Sequence, residues 1–239
     1  MTKSIPIFKR IVLLCACIVL FESLVVDSNA TNYLSNWESH IVINGVDYGY
    51  NTDVAFWTKS PKVGYNKLDD SPSFSFFSGL LNGRDEWNEA LDLSISVSAS
   101  HPDPDIFYYG GTMDDINDLI LFEEIFDGSG ILGYTGCDVP GCQMFECEYQ
   151  YLNGNTTYYF ECYEQIAALG YVLSDNRTYS QYLKTCTHEM GHAMGWRGHA
   201  TNNGWIMYQG STSVTTLSQD EIDHLLQIYE DHLEDQLGE

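Results

Sequence analysis

Positive charge is what this sequence has least of: 10 lysines and arginines stand against 34 aspartates and glutamates in 239 residues, a formal charge of −24. So few cations leave little with which to grip phosphates, which argues against nucleic acid and anionic membrane surfaces as partners. Internal repeats and low-complexity tracts are missing as well. Long apolar runs are missing too: Ile11 to Phe21 is only eleven residues long, whereas a bilayer span needs about 20. The length suits one domain with a sizeable core, or two small ones.

The short apolar run has a different reading. Lys3, Lys9 and Arg10 precede it and Ser28-Asn29-Ala30 follow it, the pattern of a signal peptide over residues 1–30 cut before Thr31. An uncleaved anchor and, through Leu14-Cys15-Ala16-Cys17, a bacterial lipoprotein box are the alternatives. The expectation is a secreted, extracellular chain that has no membrane attachment once the signal is removed, and that is a monomer. Five cysteines remain beyond residue 30: Cys137, Cys142, Cys147, Cys162 and Cys186. In an exported protein such a cluster suggests disulfides. Cys186 is expected to be the odd one out, a buried thiol. Asn155-Thr156-Thr157 and Asn176-Arg177-Thr178 are glycosylation sequons, with meaning only in a eukaryote.

The chain is organised around Thr187 to Tyr208, THEMGHAMGWRGHATNNGWIMY. Side chains four apart share a helix face, so His188 and His192 can present two imidazoles to one ion. A catalytic zinc takes three protein ligands and keeps its fourth position open, and His199 is the third candidate. Gly195 suits the positive φ that ends a helix and turns the chain back. Glu189 directs its carboxylate toward the open position, where a general base is needed. About 100° per residue puts Tyr179, Tyr182, Leu183, Cys186, Met190 and Ala193 on the face opposite the imidazoles. HExxH alone also arises in ordinary amphipathic helices; the added Gly195, His199 and Met207 favour the metal.

These residues resemble the signature of the metzincin zinc peptidases, in which a methionine-containing turn, here Met207, underlies the metal. HEMGHAMG is similar to the active helix of the matrixins, or matrix metalloproteinases. Ile206-Met207-Tyr208 resembles their Met-turn, and LSQDEIDHLLQIY (Leu217 to Tyr229) their closing helix. Trp196, Arg197 and Gly198 separate Gly195 from His199 where the family has two residues, a one-residue insertion that Gly198 is expected to absorb. Astacin-like and archaemetzincin-like branches are alternatives.

The resemblance implies an α+β fold: a metzincin-like catalytic domain over 31–239, with a twisted mixed sheet, a backing helix, an active-site helix above the zinc, and a smaller C-terminal subdomain (200–239) holding the Met-turn and ending in a helix. It implies protein or peptide substrates, Tyr208 beside the substrate cleft, and Gln209 where matrixins carry proline. FDGSGILG, from Phe126, is similar to their calcium-holding segment, with Asp127 as a candidate Ca²⁺ ligand; a plain surface turn accounts for it equally. Nothing between Thr31 and Gly136 is a cysteine, so the family's latency propeptide has no counterpart. His101 is the lone histidine between Ser60 and Thr187, so the family's second, structural zinc is expected to be absent.

Elsewhere, His40 to Val46 reads as strand, Gly83 to Leu91 as the end of a helix, and Leu93 to Ala99 and Asp105 to Tyr109 as strands. Asp114 to Phe126 reads as a short helix. The resemblance of FDGSGILG implies that Ile131 to Thr135 is the edge strand above the cleft, whose unpaired amides and carbonyls would hold an extended peptide. Residues 137–163 read as a cysteine-bearing hairpin insert around Asn153-Gly154, with Cys147 opposite Cys162 and Cys137 joined to Cys142. Ser218 and Glu221 form a capping box. Ile222, Leu225, Leu226, Tyr229 and Leu233 form the apolar stripe of the last helix, while His224 and His232 are expected in solvent. The combined expectation is a secreted zinc metalloendopeptidase with one catalytic Zn²⁺ on His188, His192 and His199 and Glu189 as base. The alternative is a secreted zinc-stabilised binding protein with an idle protease fold.

Overall fold

The computed structural model describes residues 40–43, 46–47, 53–68, 76–119, 121–122, 131–138, 144–151, 156–174, 177–196, 199–200, 202–210, 212–226 and 229. Residues 1–30, expected to be a signal peptide, and Asp127, Cys142, Asn155, Asn176, His232 and Leu233 lie outside them. Among the described residues no helix is long and apolar enough to cross a membrane.

Among the described residues, helices and two mixed five-stranded sheets make an α+β fold. The sheet that carries the site runs β5 (Ser96–Val97), β4 (Lys62–Lys67), β6 (Ile106–Gly111), β10 (Ala167–Leu173), β7 (Gly133–Asp138). Its neighbours are parallel except for β7, which pairs antiparallel with β10 and forms the edge. Alternation along the strands sorts two cores. Ile106, Tyr108, Ala168 and Val172 face helices α1 (Phe76–Leu91) and α3 (Tyr179–Ala193). Tyr171 and Leu173 face the other way, toward Ile116 of the short α2 (Met113–Asn117) and Phe122.

The backing helix α1 buries Phe76, Gly79, Leu80, Gly83, Trp87, Ala90 and Leu91, a stripe of three- and four-residue steps. Burying a side chain such as Leu80 contributes about 1.5–3 kcal/mol. Gly79 and Gly83 let α3 come close: a Cβ on Gly79 would lie 2.5 Å from Cys186 Sγ, and one on Gly83 3.2 Å from Thr187 Cα. Cys186 is indeed a free, buried thiol.

Several sequence expectations need correction. The strand expected over Leu93 to Ala99 shrinks to Ser96–Val97, because the Asn88 side chain binds the Ile95 backbone, accepting its N–H at 2.8 Å. The helix expected from Asp114 begins at Met113 on a Thr112–Asp115 capping box and ends at Asn117. Tyr179, expected in the core, is 48% exposed, since it stands at the start of α3.

The cysteine-bearing segment contributes to a sheet. Its hairpin, β8 (Met144–Tyr151) with β9 (Thr156–Glu164), belongs to the second sheet, where β9 also pairs with β1 (His40–Ile43) and β3 (Asp53–Phe56). β1 in turn pairs with β2 (Val46–Asp47). Tyr151 opposes Thr156 across the loop, so Cys147 falls opposite Phe160 and Cys162 opposite Phe145. The two cysteines are thus one diagonal step apart, not directly across.

Candidate metal centre and active site

Helix α3 begins on Thr178, whose hydroxyl accepts the Gln181 N–H while Gln181 caps the Thr178 N–H in return, a capping box. It stops at Gly195, whose φ is 112°. There Trp196 N–H donates to Gly191 O at 3.0 Å and Gly195 N–H to His192 O at 3.1 Å, the paired bonds of a Schellman stop. Distant side chains take the remaining carbonyls. Trp57 Nε1 and Gln165 Nε2 donate to Ala193 O at 2.7 and 2.8 Å, and Tyr229 Oη donates to Met194 O at 2.7 Å. The end of the helix is thereby fastened to three other parts of the chain.

His188, His192 and His199 converge, with one ligand atom of each lying within 4.8 Å of those of the other two. His188 and His192 turn their Nε2 atoms toward each other, 3.1 Å apart. Two nitrogens on a tetrahedral zinc at about 2.1 Å would be about 3.4 Å apart. Their Nδ1 atoms sit 2.8 Å from Ile206 O and 2.9 Å from Trp196 O. A carbonyl can only accept, so the protons belong on Nδ1 and both Nε2 lone pairs face the shared point. Burial holds the His188 imidazole well below its usual range, and His192 and Lys184 push it the same way, which keeps it a neutral ligand. Three imidazoles at this spacing could hold a metal ion.

The loop that delivers His199 is closed by a bridge between Ala200 and Tyr208, with Ala200 N–H donating to Met207 O at 2.8 Å. Met207 is fully buried beneath α3. A Cβ on Gly191 would lie 2.5 Å from Met207 Sδ and 2.6 Å from Trp87 Cζ2, so a glycine is needed where this turn meets the helix.

Glu189 lines the same cavity as His188 and His199, a space of about 340 Å³ bounded also by Ile131, Leu132, Gly133 and Gln209. Its Oε2 accepts the Thr135 hydroxyl at 2.9 Å, and Tyr108 Oη donates to its backbone carbonyl at 2.8 Å. A Cβ on Gly133 would meet Oε1 at 2.5 Å, so the bare backbone of β7 makes room for the carboxylate. Burial raises Glu189 to about 8, against the lowering effect of the Thr135 hydrogen bond and of Lys184. A nearby dication would draw it back toward the ionised form. Tyr208 is partly exposed and does not line this cavity.

Four participants escaped the sequence reading. Lys184, one turn before His188, is buried and donates to Tyr208 O and Gly210 O. Arg177 donates to Leu132 O at 2.7 Å and Thr185 Oγ1 at 3.0 Å. Thr135 and Tyr108 hold Glu189. The one signal of these participants in the sequence is the spacing of four between Lys184 and His188. The opposite error concerns His224, expected in solvent but 1% exposed, its ring 4.1 Å from that of Trp196; burial lowers it to about 3.

No protein-family model matches the chain, and no curated protein matches it. The three-histidine group is a site able to hold a metal ion.

Proposed function

We propose that this chain is a secreted zinc-dependent endopeptidase of the matrixin-like metzincin kind. The observation that carries the reading is the convergence of three imidazoles beside a cavity that His188, His199 and one carboxylate, Glu189, line together next to an edge strand. Zinc on His188, His192 and His199 would supply Lewis acidity toward a carbonyl and lower the pKa of a water. The remaining steps belong to the protein. An extended peptide adds to the open side of β7 and is held by main-chain hydrogen bonds. Glu189 takes a proton from the attacking water as the new C–O bond forms, then passes it to the departing amine as the C–N bond breaks. Thr135 keeps the carboxylate in place. Met207 supports the imidazoles through packing and is not a ligand.

Metal analysis of the purified protein, with cleavage of a quenched generic peptide with and without chelator, tests this. About one zinc per chain and chelator-sensitive cleavage are expected. Bound zinc without any chelator-sensitive cleavage would overturn the peptidase reading in favour of a zinc-stabilised binding protein.

A further inference from the structure

We infer that the cavity beside the three histidines selects a carboxylate-bearing group next to the bond to be cut, with Lys184 as its recognition group. The inference rests on the peptidase reading and names the substrate class for that site.

The chain has only 10 basic side chains, yet two serve this one cavity. Lys184 lines it, and Arg177 ties together two of its walls through Leu132 O and Thr185 Oγ1. Among the described lining residues Glu189 is the one acid, and Thr135 already occupies one of its oxygens. An ammonium group has three donors and no acceptor. Two are taken by Tyr208 O and Gly210 O. His188 Nδ1 lies 3.4 Å away, but its proton points to Ile206 O, so it offers Lys184 no lone pair. One donor therefore remains on a residue that lines the cavity.

An apolar group would strand that N–H away from water, which is costly for a charged donor. A cation would be repelled. A carboxylate completes the shell with a charge-assisted bond, while Ile131 and Leu132 border the cavity with apolar surface for the methylene stem. Acidic side chains and the free carboxylate of a chain end share this chemistry.

Calorimetry on the zinc-loaded protein with a reduced-amide, non-cleavable peptide tests the inference. Glu, Gln or Leu is placed in turn on each side of the reduced bond, with the C-terminus free or amidated, and the matching quenched peptides are assayed for cleavage. Glu should bind at least about tenfold tighter than Gln at one position, and Lys184→Met should abolish that preference. Because Lys184 also tethers the segment after Met207 and its loss can disturb folding, exposed Gln209 on the cavity wall gives an independent pair. Gln209→Lys should widen the Glu-over-Gln ratio severalfold and Gln209→Glu should narrow it. A gain from the free C-terminus in place of the Glu side chain would support the same recognition with a chain end as the source. Equal binding of Glu and Gln peptides with no gain from a free terminus would overturn the inference, as would a Glu preference surviving in folded Lys184→Met. Acid-selective binding without cleavage of any peptide would support the recognition site while sinking the peptidase reading; cleavage without acid preference would do the reverse.

Discussion

The buried carboxylate of Glu221 accepts the backbone N–H of Met207 at 2.8 Å through one oxygen, while its other oxygen accepts Ser218 N–H and Oγ–H at 2.9 Å. One side chain therefore caps the last helical segment and fixes the turn beneath the metal site. Glu221→Gln must set its amide donors against one of those N–H groups. A loss of about 1–3 kcal/mol is expected, seen as a lower Tm, together with weaker zinc binding, because Ile206 O, which orients His188, lies next to the released residue. An unchanged zinc affinity would separate the turn from the metal.

Glu189→Gln preserves the shape of the cavity and removes the proposed base. Zinc content should stay at wild-type level while kcat falls by about 10²–10⁴. Metal analysis alongside steady-state kinetics checks both, and full peptidase activity in this variant would refute the assigned role.

Thr135→Val removes the hydroxyl that Glu189 Oε2 accepts without changing the side-chain volume much. Thr135 acts through Glu189, so kcat should fall about tenfold with KM little changed, and Thr135→Ser should restore most of the loss. Equal damage from Val and Ser would point to packing.

Acid stability should carry the signature of His224. In the folded chain burial keeps this ring neutral down to about pH 3, whereas an unfolded histidine takes up its proton near about 6.5. Between those values the unfolded state binds more protons, so stability is full above about 6.5 and falls with acidification, by up to about 1.4 kcal/mol per pH unit. Denaturant titrations of wild type and His224→Phe over this window should diverge by that slope. Parallel curves would count against the buried neutral ring.

The features legible in the sequence were those set by neighbours along the chain. The spacing of His188 and His192, the stop at Gly195 and the Ser218–Glu221 cap follow from periodicity and local chemistry, whereas the edge strand, expected from the resemblance over Ile131 to Thr135, runs over Gly133–Asp138. What escaped depended on distant partners. Lys184 is held by carbonyls 24 and 26 residues away, and Thr135 meets Glu189 across 54. His224 looked like a polar residue on a helix surface until Trp196 covered it. The hairpin was visible around Asn153-Gly154, but its register depended on where pairing resumes at Tyr151 and Thr156, which moved the cysteines off a direct pairing. The second sheet, which joins β9 to β1 and β3, had no local signal.

The close crossing of α1 and α3 has a further consequence. Cys186 Sγ is sealed against Gly79, and burial drives its thiol far from ionisation, so an alkylating reagent can reach it only after the two helices part. The rate at which this one sulfur is labelled therefore serves as a built-in clock for opening of the scaffold behind the histidines, readable without any substrate.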